Sequence, residues 1–438
     1  MSRRLSLAST VGLAVALVAA LQRLVLWLTY APIRYGDTGS YFRSADVLRR
    51  LTLTGYDGTR VPGYPAFVAL LGIDEQRVFV GQLVLGWLIT MMLFALALRT
   101  TGRAWAAAAA AFGYTLIPGL FLFEANLLTE TLTAFLLVLT FFLLDRVERS
   151  ARASIGWAFA LGLAVGAAGL VRILFYPLTV WLLPFVWIAG RSSWPRRITR
   201  TAAFLAPALA LLAGWVGYIY STYGFLAPTT MGGYNLVQHA GVFFEYLPDE
   251  EAVIRDTYLK YRDARLAERG DQTNTIWEAI PELTEVSGLG FYDLSREMQR
   301  LSLKLIREHP DLYLRNVVEG WVDFWKAPVY WEPSAMRPSA WAEAMRLWAA
   351  AGRGLSLASN LAFLLLSALI VVRFRRTRGL WQDRTWLAPW GMVWLTSIVQ
   401  TIADHGDNPR FLVPLQAIVT YVVLRTLAFV VRIDRRRP

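Results

Sequence analysis

Residues 9–30 read Ser-Thr-Val-Gly-Leu-Ala-Val-Ala-Leu-Val-Ala-Ala-Leu-Gln-Arg-Leu-Val-Leu-Trp-Leu-Thr-Tyr, and residues 31–41 continue Ala-Pro-Ile-Arg-Tyr-Gly-Asp-Thr-Gly-Ser-Tyr. A helix needs about 20 apolar residues to cross the hydrocarbon core, because no water is there to satisfy its backbone. The first stretch meets that length with Arg23 as its one charge. Arg3 and Arg4 ahead of the run, and the small residues Ala19 and Ala20 within it, also suit a cleaved secretory signal. The run continues to Tyr30, too long for a signal's apolar region, so we read it as a retained first span. It leads straight into the most polar short motif of the chain.

The rest of the sequence repeats the pattern. Of its 438 residues 56% are hydrophobic and 17% charged, whereas a soluble domain carries roughly 45–50% apolar and 25% charged residues. Disorder and fibrous folds are excluded by the same balance. Nine further stretches are apolar enough to span, at about 78–98, 104–123, 126–144, 155–171, 173–190, 201–221, 354–372, 386–403 and 411–431. The expected fold is all-α: a polytopic membrane protein with about ten transmembrane helices. It divides into an N-terminal membrane module (1–221), an extracytoplasmic helical domain (222–352) and a C-terminal membrane module (353–438). The first extracytoplasmic loop, 31–77, should carry amphipathic helices near Ser40 to Leu51 and Tyr64 to Leu71. In the large segment, helices are expected over Asp249 to Arg269, Asp293 to Glu308, Asp311 to Trp325 and Ser339 to Ala351.

Charge orients the bundle. The formal net charge is +12, which on its own suggests nucleic acid. With the N-terminus inside, the six cytoplasmic segments hold 20 basic and 4 acidic residues, and the remainder holds 24 basic and 28 acidic. The basic excess is therefore topogenic, net +16 inside against −4 outside. Nucleic-acid binding loses its motive, and both termini are expected in the cytoplasm.

Several chemistries lack their parts. The chain has no cysteine, so disulfides, thiolate nucleophiles and zinc ribbons are excluded. Only three lysines occur (Lys260, Lys304, Lys326), and no phosphate-binding loop can be written. With three histidines and neither H-E-x-x-H nor G-x-S-x-G, zinc-protease and serine-hydrolase mechanisms are unsupported. No D-x-D is present, so a local carboxylate metal site has no signature. A divalent metal ligated from distant loops stays an open alternative.

Ionisable residues beside membrane spans are expensive and therefore candidates for function. Here Asp37, Glu124, Glu130, Arg172, Asp404, His405, Asp407 and Arg410 all fall at the extracytoplasmic ends of the predicted spans. Arginine grips phosphate through a planar fork, and a nearby carboxylate can act as general base toward a hydroxyl or amine. Together they suit group transfer from a lipid phosphate. Each also has a plainer reading: Arg172 and Arg410 as structural partners of Glu130 or Asp407, and Asp37 as the N-cap of the helix near Ser40.

The order of motifs resembles the GT-C fold glycosyltransferases. It is closest to the bacterial branch of the dolichyl-phosphate-mannose-protein mannosyltransferase family, which includes the lipid A aminoarabinose transferases. The residues that carry the resemblance are Arg34-Tyr-Gly-Asp37-Thr-Gly-Ser-Tyr41, Arg60-Val-Pro-Gly-Tyr64-Pro, Asn126-Leu-Leu-Thr-Glu130, Gly169-Leu-Val-Arg172, His309-Pro-Asp-Leu-Tyr313 and Asn408-Pro-Arg410-Phe-Leu-Val-Pro414. The resemblance implies a bacterial inner-membrane enzyme that takes a sugar from a polyprenyl-phosphate donor and transfers it with inversion at the periplasmic or outer face. It gives Asp37 the expected role of catalytic base and Arg410 an expected contact with the donor phosphate, and the clustering of charges at one membrane face adds Arg172 to that contact as our own hypothesis. Glu130, Tyr41, Arg60, Tyr64, His405 and Asp407 form the supporting set. Where many relatives place a second acidic residue after the loop aspartate, this chain has Thr38. The acceptor, whether protein, lipid or glycan, is not specified. A polytopic transporter or flippase for lipid-linked saccharides is the alternative, and it needs polar or helix-breaking residues at the midplane. A non-enzymatic assembly factor is a third.

Overall fold

The computed structural model describes residues 2–150, 154–190 and 192–434, with side chains from Leu7 to Val430. Several arginines of the topogenic count (Arg3, Arg4, Arg152, Arg191 and those from Arg432 on) lie outside the described side chains. Among the described residues the chain is helical, with isolated bridges pairing Tyr30 with Met336 and Ile33 with Asn126.

In chain order the α-helices are α1 (Ser2–Thr29), α2 (Thr38–Arg49), α3 (Gly63–Leu70), α4 (Glu75–Thr101), α5 (Ala104–Thr115), α6 (Pro118–Phe121), α7 (Glu130–Arg149), α8 (Ser154–Val171), α9 (Leu178–Ile188) and α10 (Trp194–Tyr223). They continue with α11 (Gly232–Ala240), α12 (Ala252–Arg269), α13 (Thr275–Ser287), α14 (Phe291–Glu308) and α15 (Pro310–Phe324). The last are α16 (Trp341–Val372), α17 (Phe374–Trp381), α18 (Arg384–Ala403), α19 (Asn408–Leu412) and α20 (Gln416–Asp434).

A helix occupies each of the ten stretches expected to span. Six are long and apolar enough to cross a bilayer: Leu7–Thr29, Glu75–Thr101, Ser154–Val171, Trp194–Tyr223, Trp341–Val372 and Asn408–Val430. The stretch at 104–123 is broken into Ala104–Thr115 and Pro118–Ala125, bent by 60°, and makes a seventh if taken as one span. Proline is the cause, since its ring cannot continue the preceding helix. The stretch at 126–144 forms α7, whose ends carry Glu130, Asp145 and Glu148, and the one at 173–190 forms a shorter apolar helix over Ile173–Ile188. The expected helix over Ser339 to Ala351 is not separate, because it runs without a break into the span behind it as the 32 residues of α16.

Local chemistry sets the ends. The Asp74 carboxylate accepts from the backbone N–H of Arg77 at 2.8 Å and starts α4, which stops at Gly102 with φ +67°. Pro310 opens α15, where its missing N–H has no helical partner to lose.

The chain forms two compact units. The first comprises Met1–Leu212, Ala327–Trp394 and Val413–Pro438, and the second Ala213–Lys326 with Leu395–Leu412. In the first, Leu26, Tyr30, Phe79, Leu83, Phe121, Leu122 and Ala125 join Ala335 and Met336 in one apolar cluster. That cluster fixes the segment after the α5–α6 break. In the second, one face of α14 (Leu294, Met298, Leu301, Leu305) packs with Tyr234, Val237, Phe244, Tyr258, Ile276 and Leu283. The unit thus has its own core. Sequence reading anticipated α12, α14 and α15 but not α11 or α13.

Candidate functional site

Asp37 stands at the N-terminus of α2, but its side chain makes no capping bond. It turns instead to Arg60, whose Nη2 donates to Oδ1 at 2.6 Å, while Arg60 Nε donates to the Ser40 hydroxyl at 3.0 Å. The Arg60 guanidinium lies 5.2 Å from the centroid of the Tyr41 ring, and Tyr41 meets Tyr64 edge-on at 5.1 Å. The four residues Asp37, Tyr41, Arg60 and Tyr64 therefore form one cluster. Asp37 and Arg60 retain 28% and 27% side-chain exposure, enough for a carboxylate to meet a solvent-borne acceptor.

Glu130 and Arg172 form a second pair. Arg172 Nη2 donates to Glu130 Oε1 at 2.5 Å and its Nε to the Thr129 hydroxyl at 2.8 Å. Glu130 is 1% and Arg172 9% exposed. Burial on that scale needs a partner. Glu130 thus meets Arg172, the pairing that the plainer, structural reading offered.

Three contacts fix these two groups relative to each other. The Thr38 hydroxyl, fully buried, donates to the Leu127 carbonyl at 3.0 Å and accepts from the Tyr35 N–H, while Leu127 N–H donates to the Ile33 carbonyl. Thr38, next to Asp37, thus anchors the first loop. Gly63 packs against the end of α8, where a Cβ would fall 2.7 Å from the Leu170 carbonyl carbon and oxygen. A glycine in Arg60-Val-Pro-Gly63-Tyr64 is therefore required for α3 to reach the residue two places before Arg172.

The third contact is Gln82, which sequence reading missed. This fully buried amide on α4 accepts from the Tyr64 hydroxyl at 2.9 Å and donates to the carbonyls of Glu124 at 3.0 Å and Asn126 at 2.8 Å. Glu124 in turn pairs with Arg23 of α1 at 2.7 Å, both of them buried, and Gly86 supplies the space its carboxylate occupies. One faint signal existed: a glutamine set in an apolar span has to find partners.

The remaining candidates, His405, Asp407 and Arg410, belong to the second unit. They are half-buried, and the Arg410 N–H donates to the Asp407 carbonyl at 3.1 Å. Beside them Asp404 Oδ1 accepts from Gln238 Nε2 at 2.9 Å and from the Gly406 N–H at 3.0 Å. Burial and the nearby Asp407 push its carboxyl up to about 7 despite these donors. His239 is fully buried, with its ring 5.3 Å from Tyr313 and 5.4 Å from His405. Burial and the facing His405 push it down to about 3, and burial lowers His405 as well. Gly320 of α15 lies against His405, since a Cβ there would come within 2.5 Å of Nδ1. Gly320 thereby leaves room for the His405 ring. Among the described residues, no three histidine or carboxylate side chains converge as metal ligands.

No family profile matches the sequence, and no curated protein matches it. The chain is similar to two crystal structures of ArnT from Cupriavidus metallidurans. With the form bound to undecaprenyl phosphate it shares 16% identity at a TM-score of 0.33, and with the apo form 14% at 0.36. Both alignments cover 96% of this chain and 78% of the other. Superposition at this level decides neither fold family nor chemistry, so function has to be read from the side chains.

Proposed function

We propose that this chain is an integral-membrane glycosyltransferase that moves a sugar from a polyprenyl-phosphate donor to an acceptor hydroxyl or amine, with inversion, at the extracytoplasmic face. The observation that carries the reading is the Asp37 carboxylate, turned away from helix capping, half-exposed, and held at 2.6 Å by Arg60 beside Tyr41 and Tyr64. A carboxylate oriented this way is equipped to take a proton, and the resemblance of the flanking motifs names the donor class.

In the step, the acceptor O–H or N–H gives its proton to Asp37 as its heteroatom bonds to the anomeric carbon. The bond from that carbon to the phosphate oxygen breaks, and the electron pair leaves with polyprenyl phosphate. Attack opposite the leaving group inverts the centre. Arg172, its orientation set by Glu130 and Thr129, is the phosphate contact, and a guanidinium fixed in advance loses less freedom on binding. Arg410, in the second unit, carries the same assignment from its sequence motif alone. The acceptor is a protein, lipid or glycan of the cell envelope.

The test is to incubate purified protein with a panel of polyprenyl-phosphate sugars and candidate acceptors, then follow product and released lipid phosphate by mass spectrometry. Transfer with equal release of polyprenyl phosphate supports the reading. Movement of intact donor across liposomes without cleavage would establish the flippase instead.

A further inference from the structure

The first unit carries a second group of cations that the transfer reaction does not use. From the last two residues of α16 the sequence runs Val371-Val-Arg373-Phe-Arg375-Arg-Thr-Arg378-Gly-Leu-Trp381, and α17 occupies most of it. Thr377 donates its hydroxyl to the Ile370 carbonyl at 2.9 Å, which holds α17 against the end of α16. Thr377 and Leu380 are buried, and Gly379 allows the Phe429 ring to come close.

The other face is left to the surroundings. Arg373, Arg375, Arg376 and Arg378 are all exposed, and among the described residues none of them meets a carboxylate. Neighbouring arginines behave differently: Arg384 pairs with Glu148, Arg149 and Arg99 with Asp145, and Arg425 with Asp383. Interleaved with the four unmatched cations are Val371 at 55%, Val372 at 83% and Phe374 at 50% exposure, which extend the apolar surface of the span. Val372 through Arg376 line an open recess of about 570 Å³. Exposed apolar side chains at the end of a membrane span, alternating with unpaired guanidiniums, are the composition of a helix lying at the lipid–water boundary.

We propose that α17 and the end of α16 form a binding site for anionic phospholipid headgroups, in which Val372 and Phe374 enter the acyl boundary and the four arginines grip phosphate. The charge pattern selects the lipid. Guanidinium binds phosphodiester oxygens through paired N–H donors, and a zwitterionic headgroup offers the same phosphate with its charge already balanced. Free phosphate would use the arginines but has no use for Val372 and Phe374.

The absence of cysteine makes the test local. A single Gln382→Cys substitution beside α17 carries a fluorophore, and the protein is reconstituted into vesicles of phosphatidylcholine and phosphatidylglycerol. Quenching by nitroxide-labelled forms of either lipid then reads the composition next to the helix. Phosphatidylglycerol should be enriched about tenfold over phosphatidylcholine at low salt, and the preference should vanish in 1 M salt, where the Debye length is about 3 Å. Changing all four arginines to glutamine should abolish the enrichment, and changing them to lysine should keep most of it. Arg315→Gln with Arg346→Gln removes charge elsewhere and should leave it intact. If the fourfold glutamine protein fails to insert, the salt series on the parent protein decides. Equal quenching by both lipids, or a preference that survives high salt or the folded glutamine variant, overturns the proposal. The readout is lipid preference, so it stands or falls independently of transferase activity.

Discussion

Three acids of the first unit and two buried groups of the second meet different kinds of partner. In the first, Asp37, Glu130 and Glu124 each face an arginine at 2.5 to 2.7 Å. In the second, Asp404 faces an amide and a backbone N–H, and His239 faces aromatic rings and a second histidine. Without a counter-ion, burial moves both toward their neutral forms, Asp404 to about 7 and His239 to about 3. Groups driven neutral behave as packing and hydrogen-bonding elements.

The comparison breaks first at the buried pair of the proposed site. Arg172→Met leaves the 1%-exposed Glu130 without its guanidinium, and losing one partner of a buried pair costs about 3–5 kcal/mol. Thermal unfolding in detergent should show a large drop in Tm, and adding Glu130→Gln should restore much of it. No recovery in the double variant would mean that the pair is not what matters at that position.

Gln82→Leu tests whether a neutral group can matter as much. It removes the amide that meets the Tyr64 hydroxyl and the Glu124 and Asn126 carbonyls; the Asn126 carbonyl keeps the Leu128 N–H, and a buried carbonyl left unmatched at Glu124 costs about 1–3 kcal/mol. Turnover should fall as well, because the same amide links the Tyr64 side of the site to the segment that bears Glu130. Unchanged Tm and turnover would remove Gln82 from the site.

The second unit predicts opposing slopes. Asp404, raised to about 7, stays protonated in the fold while the unfolded chain ionises near 4, so its contribution is lost as pH rises through that window. His239, lowered to about 3, stays neutral in the fold while the unfolded chain protonates near 6.5, so stability is lost as pH falls. Between about pH 4 and 6.5 the two slopes oppose each other. Asp404→Asn should expose a loss of about 1.4 kcal/mol per pH unit on acidification, and His239→Gln a loss of similar size on raising the pH. Equal pH profiles for the parent and both variants would show that neither group is shifted.

The smallest effect belongs to Arg315→Gln. It breaks an i,i+4 pair with Glu319 in which the side chains are 78% and 57% exposed, and such pairs contribute little. Tm should not move.

Much of this architecture was legible beforehand. The apolar runs located a helix at each expected span, the polar insertions singled out Asp37, Glu130 and Arg172, and Arg60 came only from the motif that carries the family resemblance. What could not be read was partnership. That Asp37 would turn to Arg60 rather than cap α2, or that Thr38 would bind the Leu127 carbonyl 89 positions away, depends on how loops meet after packing. The same holds for Gln82, whose bonds run to backbone carbonyls that carry no sequence identity. Helix α13 was missed because Pro281 lies inside it and its start, after Asn274 at φ +67°, has no side-chain cap. The α5–α6 bend was missed because the apolar run through it is continuous.

The most direct test of the account measures donor binding and turnover on the same reconstituted Asp37→Asn sample. Substitution preserves the shape and hydrogen-bonding reach of the side chain but removes its capacity to hold a proton. The account predicts binding of a polyprenyl-phosphate sugar within about twofold of the parent protein and turnover reduced by roughly 100-fold or more. Transfer at the parent rate by a folded, donor-binding Asp37→Asn protein would contradict it.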